Sequence, residues 1–146
     1  MDDETPARLR DKPTWLISQV AAHAHRLMTE RLAAAGARGY HFRLLAALAE
    51  FGPSSQASLG RRTGMDRSDV VAAVDELARR DLLRRASDPA DRRRNVVTIT
   101  EKGAAHLEQL DSVLAGVQDE VLAPLSPAER AQLTGLLGRV LGGRSG

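Results

Sequence analysis

Apolar residues recur three or four positions apart through most of the chain, the period of helices with one buried face. From about Thr14 to Ala35, Trp15 or Leu16, Val20, Ala24, Leu27 or Met28 and Leu32 follow this spacing with Ala between them, which predicts a long amphipathic helix. Gly36 and Gly39 interrupt it, and Tyr40 to Glu50, carrying Leu44, Leu45 and Leu48, predicts a second helix ended by Gly52 and Pro53. Ser54 or Ser55 can cap a short third helix with Ala57 and Leu59 on it, stopping at Thr63 and Gly64. Asp66 is placed to accept from the free N–H groups of a fourth helix, Arg67 to about Arg80, whose stripe is Val70, Val71, Val74 and Leu77.

After Leu82 the period drops to two. Leu83 to Ala86 and Asn95 to Ile99 predict two short strands joined by Ser87 to Arg94, a lone hairpin that must lean on the helices because two strands alone are marginal. Thr100 caps the next helix, in which Leu107, Leu110, Leu114, Val117 and Val121 form a heptad-like seam for another helix, with Pro124 as its end. Ser126, Pro127 and Glu129 write a capping box with Pro in the first turn, opening a last helix through Leu133, Leu136, Leu137, Val140 and Leu141 that Gly142 and Gly143 close. The expected fold class is mainly α with a small β-hairpin wing, laid out as a winged helix-turn-helix. The seam and the stripes of the outer helices exceed what one small core can cover, so a two-fold homodimer is expected to hide them.

Composition narrows the chemistry. The 146 residues are 42% hydrophobic, enough for one soluble domain, and 21 basic against 19 acidic residues leave only +2, so a polyanion partner has to be argued from where charges sit. Residues 53–103 hold 11 basic and 8 acidic residues, an excess the rest of the chain lacks. Nineteen of the basic residues are Arg, which weakens Arg abundance by itself as a sign of phosphate binding. With no Cys, a disulfide framework, a cysteine nucleophile and a thiol redox switch are all excluded. Four aromatic residues are too few for a single-strand stacking platform. The four histidines lack the i, i+4 spacing of a helical metal clasp, and there is no nucleophile elbow or phosphate-cradling glycine loop, so no metal, cofactor or enzyme activity is expected. The longest uncharged stretch, Pro13 to His25, is too short for a bilayer, and the start Met1-Asp2-Asp3-Glu4 lacks a signal peptide's basic region, so a cytoplasmic protein without membrane contact is expected.

Two clusters point to duplex DNA. Arg67, Ser68 and Asp69 place short hydrogen-bonding groups in the first turn of the candidate recognition helix, within reach of base edges, with Asp66 read as its cap. Arg92, Arg93 and Arg94, with Asp88 and Asp91, sit at the tip of a ribbon narrow enough for a minor groove. The runs Ser55 to Val70, Asp88 to Arg93 and Ile99-Thr-Glu-Lys-Gly103 resemble the MarR (multiple antibiotic resistance regulator) family of bacterial transcription factors, and a looser likeness extends over nearly the whole chain. The resemblance implies a single domain over 1–146, with dimerisation helices at 12–36 and 101–143 and a DNA-binding lobe at 40–100. It implies a ligand-responsive repressor, acting as a homodimer on a pseudo-palindromic double-stranded operator. Its DNA contacts would be Ser55, Gln56, Arg67, Ser68, Asp69, Arg92, Arg93 and Arg94, with Asp91 orienting Arg93 for the minor groove. Small aromatic or phenolic anions are effectors in the family, and Trp15, Tyr40, His41 and Arg43 are the residues here suited to line such a site by stacking a ring and pairing its charge. Asp81 departs from the family's usual Gly and leaves the end of the recognition helix open. The rival reading is a ligand-binding or protein-interaction module on the same fold that does not use DNA, against which the basic wing tip argues.

Overall fold

The structure, a computed structural model, describes residues 4–143, so the first three positions of the acidic start lie outside the described residues. Its elements are α1 (Ala7–Arg10), α2 (Pro13–Ala34), α3 (Gly39–Phe51), β1 (Ser54–Ser55), α4 (Gln56–Thr63), α5 (Arg67–Arg79), β2 (Leu83–Ser87), β3 (Asn95–Ile99), α6 (Glu101–Val121) and α7 (Pro127–Gly142). By internal packing the chain divides into a unit of residues 25–114 and a unit of residues 1–24 with 115–146.

In the first unit the stripes read from the sequence converge. Leu44, Leu45 and Leu48 of α3 join Leu59 of α4, Val70, Val74 and Leu77 of α5, Leu83 and Val97 of the sheet, and Leu107 and Leu110 of α6 in one core. The sheet corrects the expected lone hairpin, because it has three strands in the order β1-β3-β2. β3 runs antiparallel to β2 from Leu83↔Ile99 to Ser87↔Asn95, and β1 adds Ser54↔Val97 and Ser55↔Val96 on its other edge. Two serines carry no alternation that a sequence pattern can reveal. Ser55 serves both elements, since its extended backbone joins the ladder while its hydroxyl accepts from the Ser58 N–H at 3.1 Å, capping α4.

The end of α5 explains the departure at Asp81. The Leu82 N–H reaches back to the Leu77 carbonyl (3.0 Å) and the Asp81 N–H to Ala78 (3.1 Å), the paired bonds of a Schellman cap. That motif needs a left-handed residue, and Asp81, at φ 59°, is the one non-glycine with positive φ among the described residues. The helix therefore closes as a glycine would close it, with Asp bearing the strain. Immediately beyond, the Thr100 hydroxyl donates to the Asp81 carbonyl (2.6 Å), the Thr100 N–H donates to the Leu82 carbonyl (3.2 Å), and Thr100 Oγ1 caps α6 through the Gly103 N–H (3.0 Å). Gly103 lies so close to this junction that an added Cβ would stand 1.9 Å from the Leu82 carbonyl oxygen.

At the other end of α5 the expected cap is absent: Asp66 occupies the N-cap position, but its exposed side chain makes no capping bond. The second unit contains α1, the start of α2, the end of α6 and α7. α6 stops at Val121, three residues before Pro124. The expected capping box of α7 forms, with Ser126 and Glu129 exchanging bonds of 3.2 and 2.9 Å. Arg130 ties the start of α7 to the end of α6 through Asp119 (2.8 Å) and the Leu122 carbonyl (3.2 Å). The seam expected to face another helix is divided, because Leu107 and Leu110 are buried in the first unit's own core and cannot meet a partner. Large apolar side chains left exposed in the second unit include Ile17 and Val20 on α2 and Leu136, Leu137, Val140 and Leu141 on α7; in the first unit Val71, expected in the buried stripe of α5, is exposed as well.

Gly103→Ala should therefore lower stability by about 1–3 kcal/mol, since the methyl collides with backbone rather than with a movable side chain. Asp81→Gly should raise stability by about 0.5 kcal/mol, the relief of the left-handed strain exceeding the entropy gained by the unfolded chain. Urea unfolding of the two variants beside the parent chain measures both signs; a stable Gly103→Ala protein would show that the Leu82 carbonyl is free to move.

Candidate nucleic-acid interface

The α4–turn–α5 segment is positioned from the inside. Leu59, Val70, Ala73, Val74 and Leu77 are buried, and Gly64 turns the chain between the helices at φ 69°. Helical geometry then leaves Arg67 and Ser68 exposed and Asp69 half-buried in the first turn of α5. Ser55 and Gln56 sit half-buried at the head of α4.

The wing tip is held by its own acidic residues. The Asp88 N–H donates to the Arg94 carbonyl (2.8 Å), closing the ribbon, and Asp91 and Arg94 continue the turn through bonds of 3.2 and 3.0 Å. Asp88 Oδ1 accepts from the Ala90 N–H (2.9 Å), and Asp91 Oδ1 accepts from the Arg93 N–H (3.1 Å). These two Asx turns fix the backbone from which Arg92, Arg93 and Arg94 project into solvent. Asp75 of α5 pairs with Arg85 of β2, which ties the wing's first strand to the recognition helix.

Two further arginines were not singled out as contacts by the sequence. A groove of about 370 Å³ between the end of α3, α4 and the foot of the wing is lined by Ser55, Ser58, Arg61, Arg62, Asp88 and Arg94, among others. The Arg62 guanidinium stacks over the Phe51 ring at 4.1 Å, which holds the cation at the groove. No local spacing links Phe51 to Arg62, since they sit on different helices.

The residues expected to line an effector site are placed differently from one another. Tyr40 and Arg43 are exposed on α3, with the guanidinium 6.0 Å from the ring centroid. Trp15 is half-buried and belongs to the other unit. His41 is 1% exposed: its Nδ1 accepts from the Arg38 N–H (3.2 Å), so Nε2 carries the proton and donates to Glu76 of α5 (3.2 Å). Burial holds the His41 pKa below its ordinary value, outweighing the pull of Glu76, while the bond from His41 holds the Glu76 carboxyl below its own. His41 thus links the start of α3 to the recognition helix as a neutral imidazole.

A helix-turn-helix with a basic ribbon at its side defines a winged-helix protein. A family model described as MarR family matches residues 36–94. The transcriptional repressor NicR of Pseudomonas putida is 34% identical over 100 residues, covering 68% of this chain and 63% of the relative. A crystal structure from Pseudomonas aeruginosa, titled a "probable transcriptional regulator", is 33% identical with a TM-score of 0.79, covering 91% of this chain and 99% of that one. The structure of BpsR of Bordetella bronchiseptica, whose DNA binding is regulated by 6-hydroxynicotinic acid, matches at 25% identity and a TM-score of 0.79 over 93% and 97% of the two chains. The chain belongs to the MarR family, a family of transcriptional regulators and not of enzymes. It spans about three fifths of the length of NicR, and about half that of a second curated relative, a regulator of Thauera aromatica. Among the described residues no helix is long and apolar enough to cross a membrane.

The His41–Glu76 link makes stability depend on pH with a definite sign. A histidine whose folded pKa is depressed leaves the unfolded chain to take up the proton first, so stability should fall as pH drops through and below 6.5, the ordinary value. Glu76 adds a loss in the same direction as pH falls below its ordinary 4.5. Thermal melts between pH 8 and pH 4 should show this decline, and His41→Gln should flatten its upper part. An unchanged profile in that variant would remove His41 from the account.

Proposed function

We propose that this chain is a sequence-specific double-stranded DNA-binding transcriptional repressor that acts as a cytoplasmic homodimer on a pseudo-palindromic operator and is released by a small aromatic or phenolic anion. One observation carries the reading: the exposed Arg67 and Ser68 in the first turn of α5 and the exposed Arg92, Arg93 and Arg94 stand on one cored unit, joined by the Asp75–Arg85 pair. Arg67, Ser68 and Asp69 then read base edges in the major groove, with Ser55 and Gln56 at the groove's edge, while Arg93, set by Asp91, enters the flanking minor groove. Arg61 and Arg62 add phosphate contacts, which fix register without reading sequence. The exposed leucines of α7 and the exposed Ile17 and Val20 of α2 support a dimer, because a monomer would leave them in water. NicR, by name a repressor, and BpsR, regulated by 6-hydroxynicotinic acid, support the repressor and effector parts of the reading. Tyr40 and Arg43 are the exposed ring and cation of the expected effector set within the 25–114 unit, and His41 contributes by holding α3.

The test is binding to the duplex upstream of the chain's own gene. Arg93→Ala should weaken binding by about 1–3 kcal/mol, most on A·T-rich flanks, and should reduce the salt dependence, whereas Ser68→Ala should change preference within the half-site. Half-sites should lie about 34–36 Å apart, one helical turn. Leu137→Glu with Leu141→Glu should yield a folded monomer by sedimentation and abolish operator binding with it. Wild-type affinity of the wing variant at matched salt, or no affinity of the parent chain for any duplex, would overturn the reading.

A further inference from the structure

We infer that Val71, in the second turn of α5, packs on the 5-methyl group of a thymine in the major groove and so specifies that base at one position of each half-site. The inference rests on the double-stranded DNA reading above and names a contact within it. Val71 is 37% exposed, although Val70, Val74 and Leu77, the other members of the stripe expected for this helix, are fully buried. It stands four residues after Arg67 and three after Ser68, and the exposed Ala72 stands four after Ser68, so these side chains share the solvent-facing side of α5. Asp75 follows on that side, half-buried and paired with Arg85.

A lone exposed valine is commonplace on a protein surface. The setting of this one is what gives it a ligand. The first turn of α5 offers hydrogen-bonding groups at Arg67 and Ser68, and the same side continues at Val71 and Ala72 with methyl groups alone. Neither side chain can donate to or accept from a base edge, and the apolar group that a base pair presents in the major groove is the thymine methyl. Val71 lies about 6 Å beyond Arg67 along the helix axis, or about two base-pair steps, so both residues address one half-site. Closing the valine on that methyl removes apolar surface of both partners from water, whereas cytosine at the same place brings only a C5–H and leaves a void.

The contact is set before DNA arrives. Val70 and Val74, buried on either side of Val71 in sequence, fix the rotation of α5, so Val71 cannot turn inward without unseating them. Its β-branch also holds it to essentially one rotamer on a helix, so little side-chain freedom is lost on contact. Arg67 supplies attraction to the duplex at long range, and Val71 discriminates only at contact.

The test uses the full chain and a duplex that it selects from a random-sequence pool, with each thymine replaced in turn by deoxyuridine, which removes the methyl and keeps the Watson–Crick bonds. At one position of each half-site the replacement should weaken binding about fourfold, the scale of one buried methyl. In Val71→Ala and Val71→Ser, which shorten an exposed side chain, the same replacement should cost less than about twofold. In the parent chain 5-methylcytosine at that position should bind more tightly than cytosine by a similar factor, and in Val71→Ala the two should bind alike. A selected duplex with no deoxyuridine-sensitive position, or with undiminished sensitivity in both variants, overturns the Val71 contact and leaves the DNA reading standing. A chain that selects no duplex overturns both.

Discussion

The winged unit turns on the carbonyl of Leu82. That one oxygen faces the Thr100 N–H and the Cα of Gly103, and the residue before it offers its own carbonyl to the Thr100 hydroxyl. Three elements therefore meet within a few residues: the capped end of α5, the start of β2 and the first turn of α6. Leu82 and Leu83 are buried at the same point, so the hydrogen bonds and the core lock each other. Nothing larger than glycine fits at position 103, and only a left-handed residue fits at 81. The orientation of the recognition helix relative to the wing follows from this junction, and the Asp75–Arg85 pair makes a second tie farther along β2.

The periodic helices α3 and α5 were legible because each buries one face against the same core. The spacing of Leu44, Leu45 and Leu48, and of Val70, Val74 and Leu77, has no other physical use. The cap at Ser126 and the turn at Gly64 were legible for a different reason, since each residue type answers a backbone demand that is local. What escaped the sequence was non-local. β1 is two serines whose strand character comes wholly from β3, and the apolar seam of α6 gives no sign that Leu107 and Leu110 turn into their own chain's core.

The candidate site divides along the same line. Arg67, Ser68 and the wing arginines lie where their local elements put them, so a sequence reading places them. His41 looks from the sequence like a pocket histidine, yet a ring that is 1% exposed between Arg38 and Glu76 is committed to joining two helices. Arg62 looks like a solvated helix charge until Phe51, from another helix, comes under its guanidinium. Burial and tertiary partners decide such residues, and neither is written in local spacing.

A nearly neutral chain can present a strongly cationic edge when its acidic residues are used internally. Asp75 is bound to Arg85, Asp88 and Asp91 are bound to backbone N–H groups of the wing, and Glu76 is bound to His41. On the basic side Arg85 is offset by Asp75, whereas Arg80, bonded to the neutral Gly36 carbonyl, keeps its charge. No hydrogen bond or ion pair within the described residues engages the guanidinium of Arg67, Arg92 or Arg93, and all three residues are exposed. Their guanidinium groups are the ones that gain most from a phosphate or a groove, because no internal bond has to break first. The net charge of +2 therefore understates what duplex DNA would meet. The Asp residues of the wing keep their charge and offset part of its arginines', but by bonding the backbone they set the turn from which the cations project, so removing one would raise the net charge while loosening the geometry on which minor-groove entry depends.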